Sequence, residues 1–167
     1  IANAEEGIDY INRMVRRARA QLNTPVDQNS TFNVLVVIDE ILKDYNQKYA
    51  QKRISINKSF PKGRKKILIK GEPLNLAQCI TILLNNALEA CALETNPQVS
   101  ISVTQKDRTI FITVSDNGPG ISDAVRKTLF HPLESTKSTG LGVGLYIANH
   151  LIKSHFKGSL KHLPSSV

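Results

Sequence analysis

The 167-residue sequence has no tryptophan, one methionine and two cysteines, and aromatic side chains make up only 5% of it. The cysteines, Cys79 and Cys91, fall within one expected helix. Twelve residues of helix separate them by about 18 Å, too far for a disulfide. They read as reduced core residues of a cytoplasmic protein. With so few thiols and four scattered histidines, no structural zinc site is expected. No apolar run approaches the roughly 20 residues that span a bilayer, and no signal-peptide pattern opens the chain. Because it opens at Ile1, the chain is expected to be a piece of a longer protein, which leaves a membrane anchor elsewhere open. A Walker lysine loop and the Gly-x-Gly-x-x-Gly dinucleotide fingerprint are both missing, which argues against P-loop and Rossmann proteins.

What is present is a core-forming composition, 41% hydrophobic and 22% charged, with a net charge of +8. The densest basic cluster, Lys62-Gly63-Arg64-Lys65-Lys66, falls in an expected loop. No helix-turn-helix, zinc-finger or aromatic-basic pattern accompanies it, so nucleic acid is not an expected partner. A basic surface of this kind attracts phosphates and acidic partners.

Residues 1–23 carry Ile1, Ala4, Ile8, Ile11, Val15, Ala18 and Leu22 at spacings of three and four. Such a narrow a/d seam predicts a coiled-coil or bundle helix that supports dimerisation. Packing on the domain's own core is the other reading of the same stripe. Pro25 closes this segment, so the chain divides into a helix over 1–24 and a globular domain over 25–167. In the second part, Asn33 is a candidate N-cap for a helix reaching about residue 50. Strands are expected near 54–57 and 67–70, and a broad apolar helix over 73–92. A hairpin follows, with Val99, Ile101 and Val103 alternating against Ile110, Ile112 and Val114 and Lys106-Asp107-Arg108 as the turn between them. A short helix capped by Ser122, a helix from Gly142 to Ser154 and a strand over 158–163 complete the order. This arrangement implies a two-layer α/β sandwich, a mixed β-sheet with helices on one face.

Three stretches carry chemistry. Asp116-Asn117-Gly118-Pro119-Gly120-Ile121 ends the second hairpin strand, where glycines let a ligand approach the backbone. The carboxylate of Asp116 either closes an Asx-turn or accepts a hydrogen bond from an exocyclic amine. Gly140-Leu141-Gly142-Val143-Gly144 precedes a helix, whose N-terminal amides favour phosphate. Asn86 lies in the middle of an apolar helix, either as a satisfied core amide or as a hard oxygen ligand for Mg²⁺.

Taken in order, Asn85-Asn86-Ala87-Leu88-Glu89-Ala90, Asp116 to Ile121, Leu129-Phe130-His131-Pro132 through Thr136-Lys137, and Gly140 to Leu145 resemble the N, G1, F and G2 boxes of sensor histidine kinases. These kinases share a superfamily with gyrase, Hsp90 and MutL, and the resemblance covers residues 30 to 163. It implies a Bergerat-type ATP-binding sandwich with a short lid over about 122–139. The resemblance makes Asn86 the Mg²⁺ ligand and Asp116 the adenine partner. Gly118, Gly120 and Ile121 would shape the adenine site. Lys137, Gly140, Gly142, Gly144 and Leu145 would lie along the phosphates. Residues 1–23 resemble the end of the dimerisation and phosphotransfer helix. The implied partners are ATP, a histidine-phosphotransfer domain of the same protein, a response regulator and a second copy of the chain.

Three departures qualify the resemblance. Ile82 stands one turn before Asn86, where many histidine kinases have Asn and the hydrolysing relatives have a Glu base. Leu133 replaces a Phe of the F box. His131, His150, His155 and His162 all lack the acceptor context His-Glu-x-x-x-Pro. No residue of the chain is therefore assigned as catalytic. The expected activity is donation of the γ-phosphate of Mg-ATP to a histidine on another domain, without autophosphorylation. A nucleotide-holding pseudokinase and a self-contained ATPase are the alternatives.

Overall fold

A computed structural model of the chain describes residues 30–49, 54–63, 66–130 and 144–163. The expected N-terminal bundle helix over 1–23 lies outside the described residues, as do residues 131–139 of the expected lid, Lys137 among them, and Gly140 and Gly142 of the second glycine cluster.

The described elements are β1 (Thr31–Asn33), α1 (Val34–Tyr49), β2 (Ser55–Ser59), β3 (Leu68–Lys70), α2 (Pro73–Ala90), β4 (Gln98–Lys106), β5 (Thr109–Asp116), α3 (Asp123–Thr128) and α4 (Gly144–Phe156). Strands β2, β4 and β5 form a mixed sheet in that order, with β2 parallel to β4 and β4 antiparallel to β5. Alternation along β4 places Val99, Ile101 and Val103 in the core and turns Ser100 and Thr104 outward. Helices α1 and α2 cover the inner face through Val34, Val37, Ile38, Leu42, Leu76, Ile80, Leu84 and Leu88. Among the described residues this is the two-layer arrangement that the sequence implies.

The broad apolar wrap of α2 has a plain cause, because the helix packs on two sides. One side joins the main core with α1 and the sheet, and the other meets α4 through Cys79 and Ile82 against Ala148 and Leu151. Pro73 occupies the first turn, where its missing N–H leaves no bond unmade. Ser122 caps α3 by accepting from the Val125 N–H.

Three sequence expectations change. Thr31–Asn33 is a strand that pairs antiparallel with β3, although three residues before a helix carry too short a pattern to read. Asn33 still caps α1 by accepting from the Leu35 N–H, and it also accepts from the Ile67 N–H, which ties the small ribbon to the helix start. Lys106 stays in the ladder opposite Thr109, so the hairpin turn is Asp107–Arg108, with Asp107 at φ +54°. Residues 158–163 form no strand among the described residues. Leu160 packs inward there, on the cluster between α2 and α4. Alternation over so few residues does not make a strand without a ladder partner.

The β1–β3 ribbon is anchored to the far end of α4. Gly71 follows β3 at φ +133°, and a Cβ on it would lie 2.8 Å from the Phe156 ring. Phe156 meets Phe32 of β1 edge-on at 6.3 Å.

Candidate nucleotide site

Helix α2 is the spine of the site. Residues 82, 86 and 90 recur every fourth position and share one side of it. At one end, the first residue of α4, Gly144, sits over Ile82, and a Cβ there would lie 3.4 Å from Ile82 Cγ2. At the other end, Gly118 lies against the last residue of the helix. A Cβ on Gly118 would come within 2.7 Å of the Ala90 carbonyl oxygen. Asn86, half-buried, lies between these two contacts. The distance along the helix from Ile82 to Ala90 is about 12 Å. One helix side thus links the N-terminus of α4 to the turn after β5, with an amide at its centre.

That turn is closely held. Asp116 Oδ1 accepts from the Gly118 N–H at 2.9 Å, so the Asx-turn reading of Asp116 is realised. One carboxylate oxygen closes the turn and the other, on an exposed residue, has room for a donor. Gly120 adopts φ +77°, a conformation that glycine takes without strain. Ile121 is 38% exposed, a large apolar side chain left accessible beside the turn.

Asn117, which carries no role in the sequence motifs, holds this turn in place. Its Oδ1 accepts from the Gln98 N–H at 2.8 Å and its Nδ2 donates to the Asn96 carbonyl at 2.8 Å. Its own N–H donates to the Gln98 carbonyl. Asn117 therefore fastens the turn to the start of β4. An Asn in a turn signals this capacity, but its partners, about twenty residues away, are visible only once the hairpin is folded.

The adjacent asparagines divide their work. Asn85 accepts a 2.6 Å hydrogen bond from the Tyr45 hydroxyl of α1, whereas Asn86 lies about 100° further round the helix. The pair read as one motif is thus split: Asn85 is a structural amide tied to α1, and Asn86 faces another side of the helix.

Ile82 is buried in an apolar cluster with Cys79, Ala148 and Leu151. The Cys79 thiol donates to the Ala148 carbonyl, and burial pushes its pKa up to about 12. Cys91 caps the end of α2, and burial, followed by the negative charge of Asp116, raises its pKa as well. Both thiols are free and buried, as the composition implied.

Among the described residues no group of three or more His, Cys, Asp or Glu side chains could hold a metal ion. Asn86 offers a single hard oxygen. That suits Mg²⁺, which keeps several waters and shares phosphate oxygens, better than a metal needing a full protein cage. A shallow depression of about 170 Å³ lies where Asn57, Ser100 and Ser115 meet Asp116.

Of the sequence-derived site residues, Asn86, Asp116, Gly118, Gly120, Ile121, Gly144 and Leu145 are among the described residues, whereas Lys137, Gly140 and Gly142 are not. Leu145 is partly buried against the cluster around Ile82.

Comparison with known proteins bears on this arrangement. The family of histidine kinase-, DNA gyrase B- and HSP90-like ATPases matches over residues 71–166. The C4-dicarboxylate transport sensor protein DctS of Rhodobacter capsulatus is 37% identical over 98 residues, covering 58% of this chain and 15% of that protein. The sensor histidine kinase CssS of Bacillus subtilis is 29% identical over 128 residues, covering 77% of this chain and 26% of that protein. The chain thus spans a quarter or less, roughly, of these relatives. Among solved structures, the catalytic domain of the histidine kinase ThkA superposes with a TM-score of 0.67 at 22% identity, over 75% of this chain and 80% of that one. A structure of ThkA in complex with the response regulator TrrA gives 0.71 at 18% identity, over 90% of this chain and 42% of that one. These two superpositions bear on the fold.

Proposed function

The chain belongs to the family of histidine kinase-, DNA gyrase B- and HSP90-like ATPases, and we propose that it works as the ATP-binding kinase domain of a sensor histidine kinase. Adenine would sit at the turn after β5, its exocyclic amine donating to the open oxygen of Asp116, with Ile121 beside the base. The phosphates would extend along α2 toward the N-terminus of α4, where the helix dipole favours anions and Gly140, Gly142 and Gly144 would leave the backbone open to them. Lys137 would contribute a phosphate contact. Asn86 would supply one oxygen to a Mg²⁺ that the phosphates share, and the ion would neutralise charge on the transferred phosphoryl group. The observation that carries this reading is the shared side of α2, with Gly144 at Ile82, Gly118 at Ala90 and Asn86 between them.

The γ-phosphate would pass to a histidine on a separate dimerisation and phosphotransfer domain. A neutral imidazole is nucleophilic near pH 7 without a base from this domain. Catalysis is then positioning and charge neutralisation. A response regulator would receive the phosphate in turn, as the pairing of ThkA with TrrA supports. The parent protein would be a homodimer, with this domain in the cytoplasm. No helix among the described residues is long and apolar enough to cross a membrane.

The test is binding of a fluorescent ATP analogue, with and without Mg²⁺, to the wild type and to Asp116→Asn. An Asn oxygen can still accept from the Gly118 N–H, so the turn survives and only the charged adenine contact is weakened. A drop of about tenfold or more in affinity is expected, the scale of a lost charge-assisted hydrogen bond. Unchanged binding would sink the assignment.

Ile82 favours a second reading, a pseudokinase that holds nucleotide and signals through dimerisation. Its buried alkyl side chain neither ligates a metal nor takes a proton. Phosphoryl transfer to an added acceptor-histidine fragment would exclude that reading.

A further inference from the structure

We infer that Tyr45 is a positioning residue for the metal-bound nucleotide, acting through Asn85 to set the rotation of α2 and hence the direction of Asn86. The inference rests on the proposed assignment of Asn86 to Mg²⁺.

Tyr45 lies near the end of α1, partly buried against the main core. Its hydroxyl donates to Asn85 Oδ1 at 2.6 Å, and the Thr81 carbonyl, one turn back along α2, lies 3.4 Å from the same oxygen. The Tyr45 ring is stacked on Tyr49 at 6.0 Å with 11° between the planes, so the hydroxyl is presented from a rigid pair. On α2, Leu76, Ile80, Leu84, Ala87 and Leu88 make apolar contacts with the main core. Apolar contacts are non-directional and leave a helix some freedom to roll. A 2.6 Å hydrogen bond fixes one azimuth.

Asn85 and Asn86 are consecutive, so the azimuth of one determines that of the other. An amide oxygen stands about 6 Å from the helix axis, on the helix dimensions. A roll of ten degrees would carry it about 1 Å sideways. Mg²⁺ demands near-ideal octahedral geometry at 2.0–2.1 Å, so such a displacement removes the ligand from the metal. The turn after β5, where Asp116 would hold the base, touches α2 at the Ala90 backbone, near the helix axis, and is also fastened by Asn117, so it should feel the same roll less. The Tyr45–Asn85 bond should therefore affect the metal-dependent part of binding and spare the rest.

The experiment measures affinity for a fluorescent ATP analogue with and without Mg²⁺, alongside thermal midpoints, in the wild type, Tyr45→Phe, Asn85→Ala, Asn85→Asp, the Tyr45→Phe/Asn85→Ala double variant and Asn86→Ala. Tyr45→Phe and Asn85→Ala should each lower the Mg²⁺-dependent gain in affinity about tenfold, the lower end for loss of an outer partner of a metal ligand. Metal-free affinity should stay at the wild-type value. The double variant should be no worse than either single one, and Asn85→Asp, which keeps an acceptor for the hydroxyl, should retain the gain. If Asn86→Ala abolishes the gain while Tyr45→Phe leaves it intact, the positioning role is overturned and the nucleotide assignment stands. Equal losses with and without metal, together with a lower thermal midpoint, would reduce Tyr45 to a fold-stabilising residue and overturn it too. If the wild type shows no gain, or Asn86→Ala keeps it, the metal assignment itself falls and the inference falls with it.

Discussion

Gly118 shows how much one hydrogen atom can decide. Its Cα hydrogens face the Ala90 carbonyl, and a methyl group there would stand 2.7 Å from that oxygen and 2.9 Å from Asp116 Oδ1. Neither backbone can retreat cheaply, because Asn117 pins one and the helix end is the other. Gly118→Ala is expected to cost about 1 to 3 kcal/mol in urea unfolding, the range for overpacking. It should also weaken ATP-analogue binding by moving Asp116. The thiols make a second residue-scale prediction. Burial holds Cys79 at about 12 in the folded chain against the ordinary 9.0. Below the ordinary value both folded and unfolded chains keep the proton. Above it only the unfolded chain releases one, so the unfolded state binds fewer protons and stability falls as pH rises through the window from 9.0 to about 12. The slope from one thiol is at most about 1.4 kcal/mol per pH unit. Denaturant midpoints taken across that window should fall less steeply in Cys79→Ala.

At the scale of elements, α2 is buried on two sides and open on part of a third. Its sequence displayed the wide apolar wrap, and the depth of burial followed from that alone. The division of its polar residues did not, because Asn85 and Asn86 are chemically identical and differ only in azimuth. Ile82 is the element's other informative position. It departs from the Asn of many histidine kinases, and the structure shows it packed with Cys79, Ala148 and Leu151 under the start of α4. The departure belongs to an apolar seam between two helices. Ile82→Asn is therefore expected to destabilise the domain by about 1 to 3 kcal/mol, the cost of an amide buried without partners. Differential scanning calorimetry checks it, and a thermal midpoint at or above the wild-type value would contradict the packing argument.

For the whole molecule, the missing acceptor motif and the apolar character of position 82 give opposite expectations for two assays. Incubated alone with Mg-ATP, the chain should release phosphate no faster than the uncatalysed background and should not label itself. Mixed with a fragment carrying an acceptor histidine, it should label that fragment. Radiolabel transfer and a phosphate-release assay together distinguish a kinase domain from a self-contained ATPase.

The identity of the ATP-binding family was legible in local sequence. Glycines where a backbone must bend or be approached, an acid at a strand end and an amide within an apolar helix are requirements of short segments, and short segments carry them in order. Hydrophobic period likewise showed the main helices and the hairpin, since amphipathic burial leaves a repeat in the chain. Tertiary structure alone decided the β1–β3 ribbon, the lack of a ladder for 158–163, the clamp made by Asn117 and the link from Tyr45 to Asn85. Each depends on a partner supplied by another element, and no periodicity within one segment records where that partner will be.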